Sequence, residues 1–316
     1  MKYLRLDSTD PYYNMSFDEY CLEQLSSEDS FFYLWRNRPA VIIGLNQNAY
    51  SEVNIPYLED NGITLARRVT GGGAVYHDLQ NLNYTFIGKD VSPQPIVDAL
   101  RTMGVDAELS GRNDIFVEGK KVSGYARRVW HDRQMVHGTL MYDVDLEPLT
   151  RALDVDGSKM SSKGIASVRS RVGNLKAYLP QYPTIEAFRD ALQELLAGSD
   201  EQMAMSPEQL EQVRSTAESK FASWEWVYGS SHEADFSRSA RLACGTVEVS
   251  VKLDRGCICA IEFRGDFLGG LPVAQLEEAL KGRRFERGTL LECLKELGVE
   301  RYFDSVSAED ITGMLF

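Results

Sequence analysis

The sequence has few of the features that mark disulfide-stapled, exported or membrane proteins. Five cysteines in 316 residues are an odd number and too few for a disulfide framework, so free thiols are expected. No stretch approaches the roughly 20 apolar residues of a membrane span, and the first residues lack the apolar run of a signal peptide. We therefore expect a soluble, cytoplasmic protein with no membrane partner.

Positive charge is also scarce. The chain has 34 Lys and Arg residues against 47 Asp and Glu residues, and its formal net charge of -13 would repel a polyanionic backbone. We therefore expect no nucleic-acid partner. Short basic groups do occur within one third of the chain, at Arg67-Arg68, Lys120-Lys121, Arg127-Arg128 and Arg169 with Arg171. Such groups suit the phosphates of a single nucleotide better than a duplex.

The apolar patterns predict an α+β protein with two domains. Runs of strand length bounded by turn residues lie at 31–35, 40–43, 63–66 and 82–87. A hairpin is expected between Lys121 and Val144, and helices are expected at 15–25 and 96–103. After Pro183, capping residues and helical spacing predict two further helices.

The polar stretch 229–235 is typical of a linker and predicts a domain boundary. It would separate a catalytic domain, 1–230, from a small C-terminal accessory domain, 237–316. In the latter, alternating residues on both sides of a turn at 254–256 predict a hairpin. Two short helices, at 273–280 and 289–297, complete an α+β unit with its own core.

The most informative segment is Arg67-Arg68-Val69-Thr70-Gly71-Gly72-Gly73-Ala74-Val75-Tyr76-His77-Asp78. Because glycine lacks a Cβ atom, successive N–H groups can converge on phosphate oxygens, and the preceding arginines can add charge-assisted bonds. The alternative is an ordinary flexible turn. The arginines before the glycines and the His-Asp pair after them favour a phosphate or acyl-adenylate site. It is not a Walker A loop, because no Gly-Lys-Ser/Thr follows.

Together with the run 81–86, this segment resembles the signature of the lipoate-protein ligase A family, in the biotin/lipoate protein ligase superfamily. Further matches follow in the family order at Gly111-Arg112-Asn113-Asp114-Ile115, Gly119-Lys120-Lys121-Val122-Ser123-Gly124, His137-Gly138-Thr139-Leu140 and 163–172. The resemblance spans nearly the whole chain. It implies a biotin/lipoyl ligase catalytic fold of mixed, mainly antiparallel sheets with flanking helices, followed by the small α+β domain.

The resemblance implies an ATP-dependent, AMP-forming ligase with lipoate as its substrate. Lipoate would attack the α-phosphate of ATP to give lipoyl-AMP, and a lysine of a lipoyl domain would then displace AMP. The implied cofactors are ATP and magnesium. The implied acceptors are lipoyl-domain proteins, namely the acyltransferase subunits of 2-oxoacid dehydrogenases and the glycine cleavage H protein. Neither step requires a nucleophile from the enzyme.

The resemblance places the essential lysine at Lys121, where the alternative is an ordinary surface lysine. In an extended strand Lys121, Ser123 and Tyr125 would share the cleft side while Val122 points to the core. Lys121 would stabilise charge on the α-phosphate and the acyl oxygen. We expect ATP and lipoyl-AMP to be bound by Arg67, Arg68, Gly71, Gly72, Gly73, Ala74, Val75, Tyr76, His77, Asn113, Asp114 and Lys121, lipoate by Lys121, Ser123, Gly124 and His137, and magnesium by Asp114.

Three other functions are alternatives to this one. An octanoyl or lipoyl transferase that acts without ATP needs a cysteine for its thioester, and Cys21 is the only cysteine before Cys244. A biotin ligase has a different glycine-arginine loop. A non-catalytic lipoate-binding module remains an alternative, although Lys121 and the glycine loop speak against it.

Two finer expectations concern the substrates. The lipoyl tail needs an apolar slot, which we place around Val41, Ile43, Val75 and Tyr76. Acidic lipoyl domains would need local basic contacts, for which Arg127, Arg128 and Arg133 are candidates. Departures from the family pattern at Leu45, Tyr125 and Val136 bear on acyl specificity.

Overall fold

The computed structural model describes residues 1–25, 30–110, 113–153, 172–198, 202–230 and 234–316. The chain divides into two compact units. The first, called the N-terminal unit, comprises Met1–Gln47 and Glu52–Trp226, and the second, called the C-terminal unit, comprises Asn48–Ser51 and Val227–Phe316. Of the family motifs, Gly111, Arg112 and residues 163–171 lie outside the described residues.

The N-terminal unit is built on an eight-stranded mixed sheet. Its strands in spatial order are β11 (Gln202–Met203), β1 (Lys2–Leu4), β2 (Phe31–Trp35), β6 (Asn81–Gly88), β10 (Arg133–Met141), β9 (Lys120–Trp130), β8 (Asp114–Val117) and β7 (Ala107–Ser110). The first three strands run parallel, and every later pairing is antiparallel. The hairpin predicted between Lys121 and Val144 is the β9–β10 pair.

A second, three-stranded sheet carries residues 69–74, called the glycine segment because it contains Gly71, Gly72 and Gly73. Its strands are β3 (Ala40–Ile43), β4 (Thr64–Arg67) and β5 (Val75–His77). β3 lies in the centre, parallel to β4 and antiparallel to β5. Residues 68–74 therefore connect the two edge strands of this sheet.

Helices flank the sheets, and several of them begin at a side-chain cap. Before residue 230 they are α1 (Pro11–Glu23), α2 (Ala49–Glu52), α3 (Ile55–Asp60), α4 (Gln94–Thr102), α5 (Leu146–Ala152), α6 (Ile185–Ala197), α7 (Pro207–Thr216) and α8 (Trp224–Val227). Asp10 caps α1 by accepting from the backbone N–H groups of Tyr12 and Tyr13. The predicted caps of the two later helices are present, as Thr184 on α6 and the Ser206–Gln209 capping box on α7.

Apolar side chains cover both faces of the main sheet. Phe32 and Leu34 of β2 belong to a cluster that includes α4 and α6, whereas Phe31, Tyr33 and Trp35 belong to a cluster with α1. All five residues of this strand are buried, because alternate residues of a strand point to opposite faces. A strand buried on both faces has an unbroken apolar sequence, as this one does.

The C-terminal unit is a small antiparallel sheet with helices. It contains β12 (Ala234–Leu242), β13 (Gly245–Asp254), β14 (Cys257–Gly265), α9 (Ala274–Leu280), α10 (Arg287–Leu297) and α11 (Ala308–Leu315). The sequence predicted all but β12 and α11. β12 was missed because its polar residues break the apolar alternation. α11 begins with a Ser307–Asp310 capping box, a signal that the sequence did offer.

The α+β class is confirmed by this architecture. Within the described ranges, no helix combines the length and apolar character needed to cross a bilayer.

Candidate active site

A cavity lies within the N-terminal unit where α1, the three-stranded sheet and the β9–β10 hairpin meet. It brings together most of the residues that the sequence predicted, namely Arg68, Gly72, Gly73, Ala74, Val75, His77, Asn113, Lys121, Gly124 and His137. The rest of its lining is Met15, Trp35, Ile42, Asn83, Tyr125, Ala126, Gly138 and Thr139. Of the other predicted residues, Arg67, Gly71, Tyr76, Asp114 and Ser123 are not part of this lining.

Two positions at the glycine segment require glycine, one for lack of space at Gly44 and the other for the backbone conformation of Gly72. A Cβ atom on Gly44 would lie 2.1 Å from the carbonyl oxygen of Gly72. Gly72 itself has φ +99°, a conformation that L-residues rarely adopt. At Gly71 and Gly73 a Cβ atom would meet nothing within 4 Å. The open space beside these two glycines leaves their backbone accessible to a ligand.

Arg67 is a structural residue in this geometry. Its guanidinium donates from Nε to the carbonyl of Trp226 at 3.0 Å, and from Nη1 to the carbonyls of Gly44, Leu45 and Gln47 at 3.1, 3.0 and 2.6 Å. The side chain is fully buried, and burial lowers its pKa to about 10. The expectation that Arg67 contacts phosphate has no geometric support here, because its described bonds tie loop 44–47 to residue 226.

Arg68 lines the cavity, but its donors are also engaged. Nη2 donates to the carbonyls of Gly71 and Gly73 at 2.8 Å each, and Nη1 donates to that of Ile42 at 3.0 Å. Nε donates to Thr70 Oγ1 at 3.1 Å. Burial lowers the pKa of Arg68 to about 10, so it stays protonated at neutral pH. Its cation is thus held against the carbonyls of Gly71 and Gly73, where it makes the glycine segment electropositive.

A β-bulge aims Lys121 into the cavity. Phe116 of β8 pairs with Lys121 while Ile115 pairs with Ser123, so Val122 is an extra residue. Val122 and Ser123 are both completely buried. The predicted burial of Val122 is therefore found, whereas Ser123 does not share the cavity side with Lys121. That expectation assumed unbroken alternation, and the bulge breaks it.

Lys121 instead lies over Gly124. A Cβ atom on Gly124 would lie 3.2 Å from both Cε and Nζ of Lys121. Nζ forms an ion pair with Asp114 Oδ1 at 2.7 Å. The Lys121 side chain is 37% exposed, so it stands at the mouth of the cavity. Val172, the last residue of the motif at 163–172, forms a parallel bridge with Lys121.

His137 is fixed from both sides by buried partners. Its Nδ1 lies 2.7 Å from Asp18 Oδ2, and its Nε2 lies 2.7 Å from Thr70 Oγ1. Because Arg68 already donates to Thr70 Oγ1, the arrangement that satisfies every donor has Thr70 donating to Nε2 and Nδ1–H donating to Asp18. Asp18 also accepts from Tyr33 and Thr85, at 2.5 and 3.0 Å. This network ties α1 to the glycine segment.

His77 has a tautomer that the surrounding amides determine. Asn14 Nδ2 donates to the backbone carbonyls of Ser8 and Arg36, which orients its amide, and to Asn37 Oδ1 at 2.8 Å. Asn37 Nδ2 must then donate to His77 Nδ1, at 3.1 Å. The proton of neutral His77 is therefore on Nε2. Burial, reinforced by the nearby charge of Arg68, lowers the pKa of His77 to about 3.

This low pKa predicts a pH dependence of stability. Below pH 6.5 the unfolded chain takes up a proton at His77 that the folded chain does not, so the free energy of unfolding falls as pH falls towards 3. The slope approaches 1.4 kcal/mol per pH unit. Between pH 6.5 and 5, the wild type should lose about 1.6 kcal/mol more than His77→Gln. Urea titrations of both proteins would measure the difference, and parallel pH curves would contradict it.

Cys21 is not placed to form a thioester with a ligand in the cavity. Its side chain is fully buried in the cluster around α1 and does not line the cavity. Burial raises the pKa of its thiol well above the ordinary value, which disfavours the thiolate that a thioester mechanism needs.

The comparisons with known proteins agree with this geometry. Residues 10–197 match the family model of the lipoyl protein ligase A/B catalytic domain, and residues 231–315 match the bacterial lipoate protein ligase C-terminus. The chain is 36% identical to lipoate-protein ligase LplJ of Bacillus subtilis over 321 residues, which cover 97% of each chain. It is 37% identical to lipoate-protein ligase 1 of Staphylococcus aureus, again over 97% of each chain.

The chain belongs to the lipoyl protein ligase A/B family. Solved structures agree with the family's fold. A bipartite lipoate protein ligase from Thermoplasma acidophilum, described with its E2 lipoyl domain, has a TM-score of 0.66 and 28% identity over 72% of this chain and 96% of that one. A lipoate-protein ligase A bound with ATP has a TM-score of 0.63 and 27% identity, over 72% of this chain and 98% of that one. A putative lipoate protein ligase from T. acidophilum with bound lipoic acid has a TM-score of 0.63 and 26% identity, over 72% of this chain and 98% of that one.

The apolar wall of the cavity is shifted by one position along β3 from the slot expected for the lipoyl tail. Ile42 lines the cavity, whereas Val41 and Ile43 do not, because adjacent residues of β3 point to opposite sides. Val75 lines it as expected, and Tyr76 does not. Met15 and Trp35 complete the apolar wall.

Sequence reasoning also missed several polar residues of the site, namely Asp18, Asn37, Thr70 and Asn83. One signal was available for Asp18. Asn14 and Asp18 lie four positions apart in a buried helical stripe with Met15, Cys21 and Leu22, and polar residues in such a stripe are uncommon unless they are hydrogen-bonded.

Proposed function

We propose that this protein is a lipoate-protein ligase, which activates lipoate with ATP to lipoyl-AMP and transfers the lipoyl group to a lysine of a lipoyl domain. The observation that carries the proposal is the cavity itself. Its lining combines an apolar wall of Met15, Trp35, Ile42 and Val75 with Lys121 and the accessible backbone of Gly73. Every lining residue belongs to the N-terminal unit, which we take as the catalytic domain, with the C-terminal unit as an accessory domain.

In the first step, a carboxylate oxygen of lipoate attacks the α-phosphorus of ATP and pyrophosphate leaves. Negative charge increases on the oxygens around phosphorus. Lys121 and the N–H groups of the glycine segment stabilise this charge, and the buried Arg68 cation adds a favourable field. Asn113 is a further candidate for adenylate binding because it lines the cavity next to Lys121.

In the second step, the ε-amine of the acceptor lysine attacks the carbonyl carbon of lipoyl-AMP, and AMP leaves with the former carboxylate oxygen. Here Lys121 stabilises the negative charge on the carbonyl oxygen and on the departing phosphate. The proposal is supported by the names of the relatives, and by solved relatives with ATP or lipoic acid bound.

Magnesium is proposed to enter with ATP. The described residues contain no cluster of three or more His, Cys, Asp or Glu side chains that could hold a metal ion. Magnesium commonly needs only one or two protein carboxylates when phosphates and waters supply the other ligands. Asp114 fits that single role, because its side chain is 24% exposed beside Lys121. The ion would neutralise phosphate charge.

The acceptors are proposed to be lipoyl-domain proteins, as the solved relative described with its E2 lipoyl domain suggests. Of the three expected basic contacts, Arg127 is exposed. Arg128 forms an ion pair with Glu23 at 2.7 Å, and Arg133 donates to the carbonyl of Leu25. Arg127 is therefore the better candidate for an acidic partner.

The test is exchange of labelled pyrophosphate into ATP by the purified full-length protein. We expect exchange that requires both lipoate and magnesium, followed by a mass increase of one lipoyl group on an added lipoyl domain. Exchange without transfer would support adenylation alone. If lipoyl transfer occurred from a thioester donor without ATP, the proposal would be wrong.

A further inference from the structure

His77 presents a buried donor that no described residue accepts. The amide chain from Asn14 through Asn37 places its proton on Nε2. Nε2 is buried and has no hydrogen-bond partner within the described ranges. His77 is 3% exposed and lines the cavity. Buried polar groups are nearly always hydrogen-bonded, so an orphaned N–H on a cavity wall points to a ligand acceptor.

Asn83 supplies a second donor of the same kind. Asn81 Nδ2 donates to Asn83 Oδ1 at 2.8 Å, and Asn83 Nδ2 is buried without a partner among the residues described. Asn83 also lines the cavity, and it pairs across β2 and β6 with Trp35. The Trp35 ring contacts His77, with ring centroids 6.0 Å apart. The two donors therefore belong to one region of the wall, next to Trp35.

This region is the deep end of the cavity. Trp35, His77 and Asn83 are only 4%, 3% and 1% exposed, whereas the Lys121 side chain at the mouth is 37% exposed. An acid whose carboxylate is activated near Lys121 must direct its other end away from the mouth. In lipoate that end is a dithiolane ring, whose sulfurs are weak hydrogen-bond acceptors. In octanoate it is a methyl group, which accepts nothing.

We infer that His77 Nε2–H, assisted by Asn83 Nδ2–H, determines specificity for the dithiolane ring over hydrocarbon chain ends. The inference rests on the proposed function. In the free protein, water can satisfy these donors. A hydrocarbon end displaces that water and leaves the donors unpaired, whereas a ring sulfur replaces part of the lost hydrogen bonding. Sites built to hydrogen-bond a substrate discriminate against analogues that lack the matching atom.

The experiment measures acid-dependent exchange of labelled pyrophosphate into ATP by the full-length protein. It compares three acids: lipoate, octanoate and 5-cyclopentylpentanoate. The cyclopentyl acid has the same chain and a five-membered ring, but methylenes replace both sulfurs. For the wild type we expect kcat/KM for lipoate to exceed that for the cyclopentyl acid by about tenfold. In His77→Phe, which keeps an aromatic ring beside Trp35, the ratio should fall below about threefold. Asn83→Leu should lower it in the same direction.

The control variant is Ile42→Val, which changes the shape of the cavity wall without touching a donor. It is expected to alter the preference between the cyclopentyl acid and octanoate while leaving the lipoate-to-cyclopentyl ratio unchanged. Each ratio is taken within one preparation, so a smaller folded fraction in a variant cancels.

The outcomes separate this inference from the proposed function. If no acid supports exchange, the proposed function fails and the inference fails with it. If lipoate supports exchange but the wild type treats lipoate and the cyclopentyl acid alike, only the inference is overturned. The same holds if His77→Phe keeps the wild-type ratio.

Discussion

Replacing Lys121 with methionine is expected to lower kcat for lipoate adenylation by about 10²–10³-fold, which is the usual effect of removing one pre-placed donor to transition-state charge. Methionine keeps most of the side-chain length and removes the cation. Because the residue is partly exposed and its ion pair with Asp114 lies at the cavity mouth, little loss of stability should accompany the change. Single-turnover formation of lipoyl-AMP is the measurement.

Lys120→Met is the matched control for this prediction. Lys120 is the exposed neighbour of Lys121 in β9 and is not part of the cavity lining, so its replacement should change the rate by less than about threefold. Equal losses in the two variants would show that general charge, and not the position of Lys121, supports the reaction. Transfer from supplied lipoyl-AMP should also slow in Lys121→Met, because the same cation serves both steps.

Replacing Arg67 with methionine is expected to lower the free energy of unfolding of the N-terminal unit by about 3 kcal/mol or more. The change leaves four backbone carbonyls without the donor they now share, and an unsatisfied buried polar group costs about 1–3 kcal/mol. The free energy of unfolding of Arg67→Lys should lie between that of the wild type and that of Arg67→Met, because one ammonium cannot reproduce a planar fork of donors.

The measurement is urea unfolding followed by tryptophan fluorescence. All four tryptophans, Trp35, Trp130, Trp224 and Trp226, lie in the N-terminal unit, so the signal reports on that unit alone. Arg5→Met is the control, since Arg5 is exposed and its ion pair among the described residues is with the exposed Asp7. Its effect should stay within about 0.5 kcal/mol. Unfolding midpoints that coincide for Arg67→Met and the wild type would contradict the structural role of Arg67.

Local patterns predicted much of this fold from the sequence. Strands at 31–35 and 40–43 coincide with β2 and β3, and the Thr184 and Ser206 caps begin α6 and α7 where expected. These features depend on neighbouring residues, and their physical causes, alternation and capping, are written into short segments. The family motifs likewise predicted most of the cavity lining.

Features that depend on tertiary contacts could not be predicted in this way. The roles of Arg67 and Arg68 follow from carbonyl groups that only the fold brings within reach. A bulge in β9 reverses the relation between Lys121 and Ser123, and no composition signal in the strand marks it. Ile42 replaced its neighbours in the cavity wall because a shift of one residue exchanges the two faces of a strand.

The network at His137 joins parts of the chain that are made at very different times. His137 contacts Asp18, 119 positions earlier, and Thr70, 67 positions earlier. Contacts over such separations form late in folding, because long loops must close first. During synthesis, a chain that ends before β10 therefore lacks a complete cavity. Since a ligand stabilises only the state that binds it, the fraction of chains able to bind lipoate would report how many chains have completed the N-terminal unit.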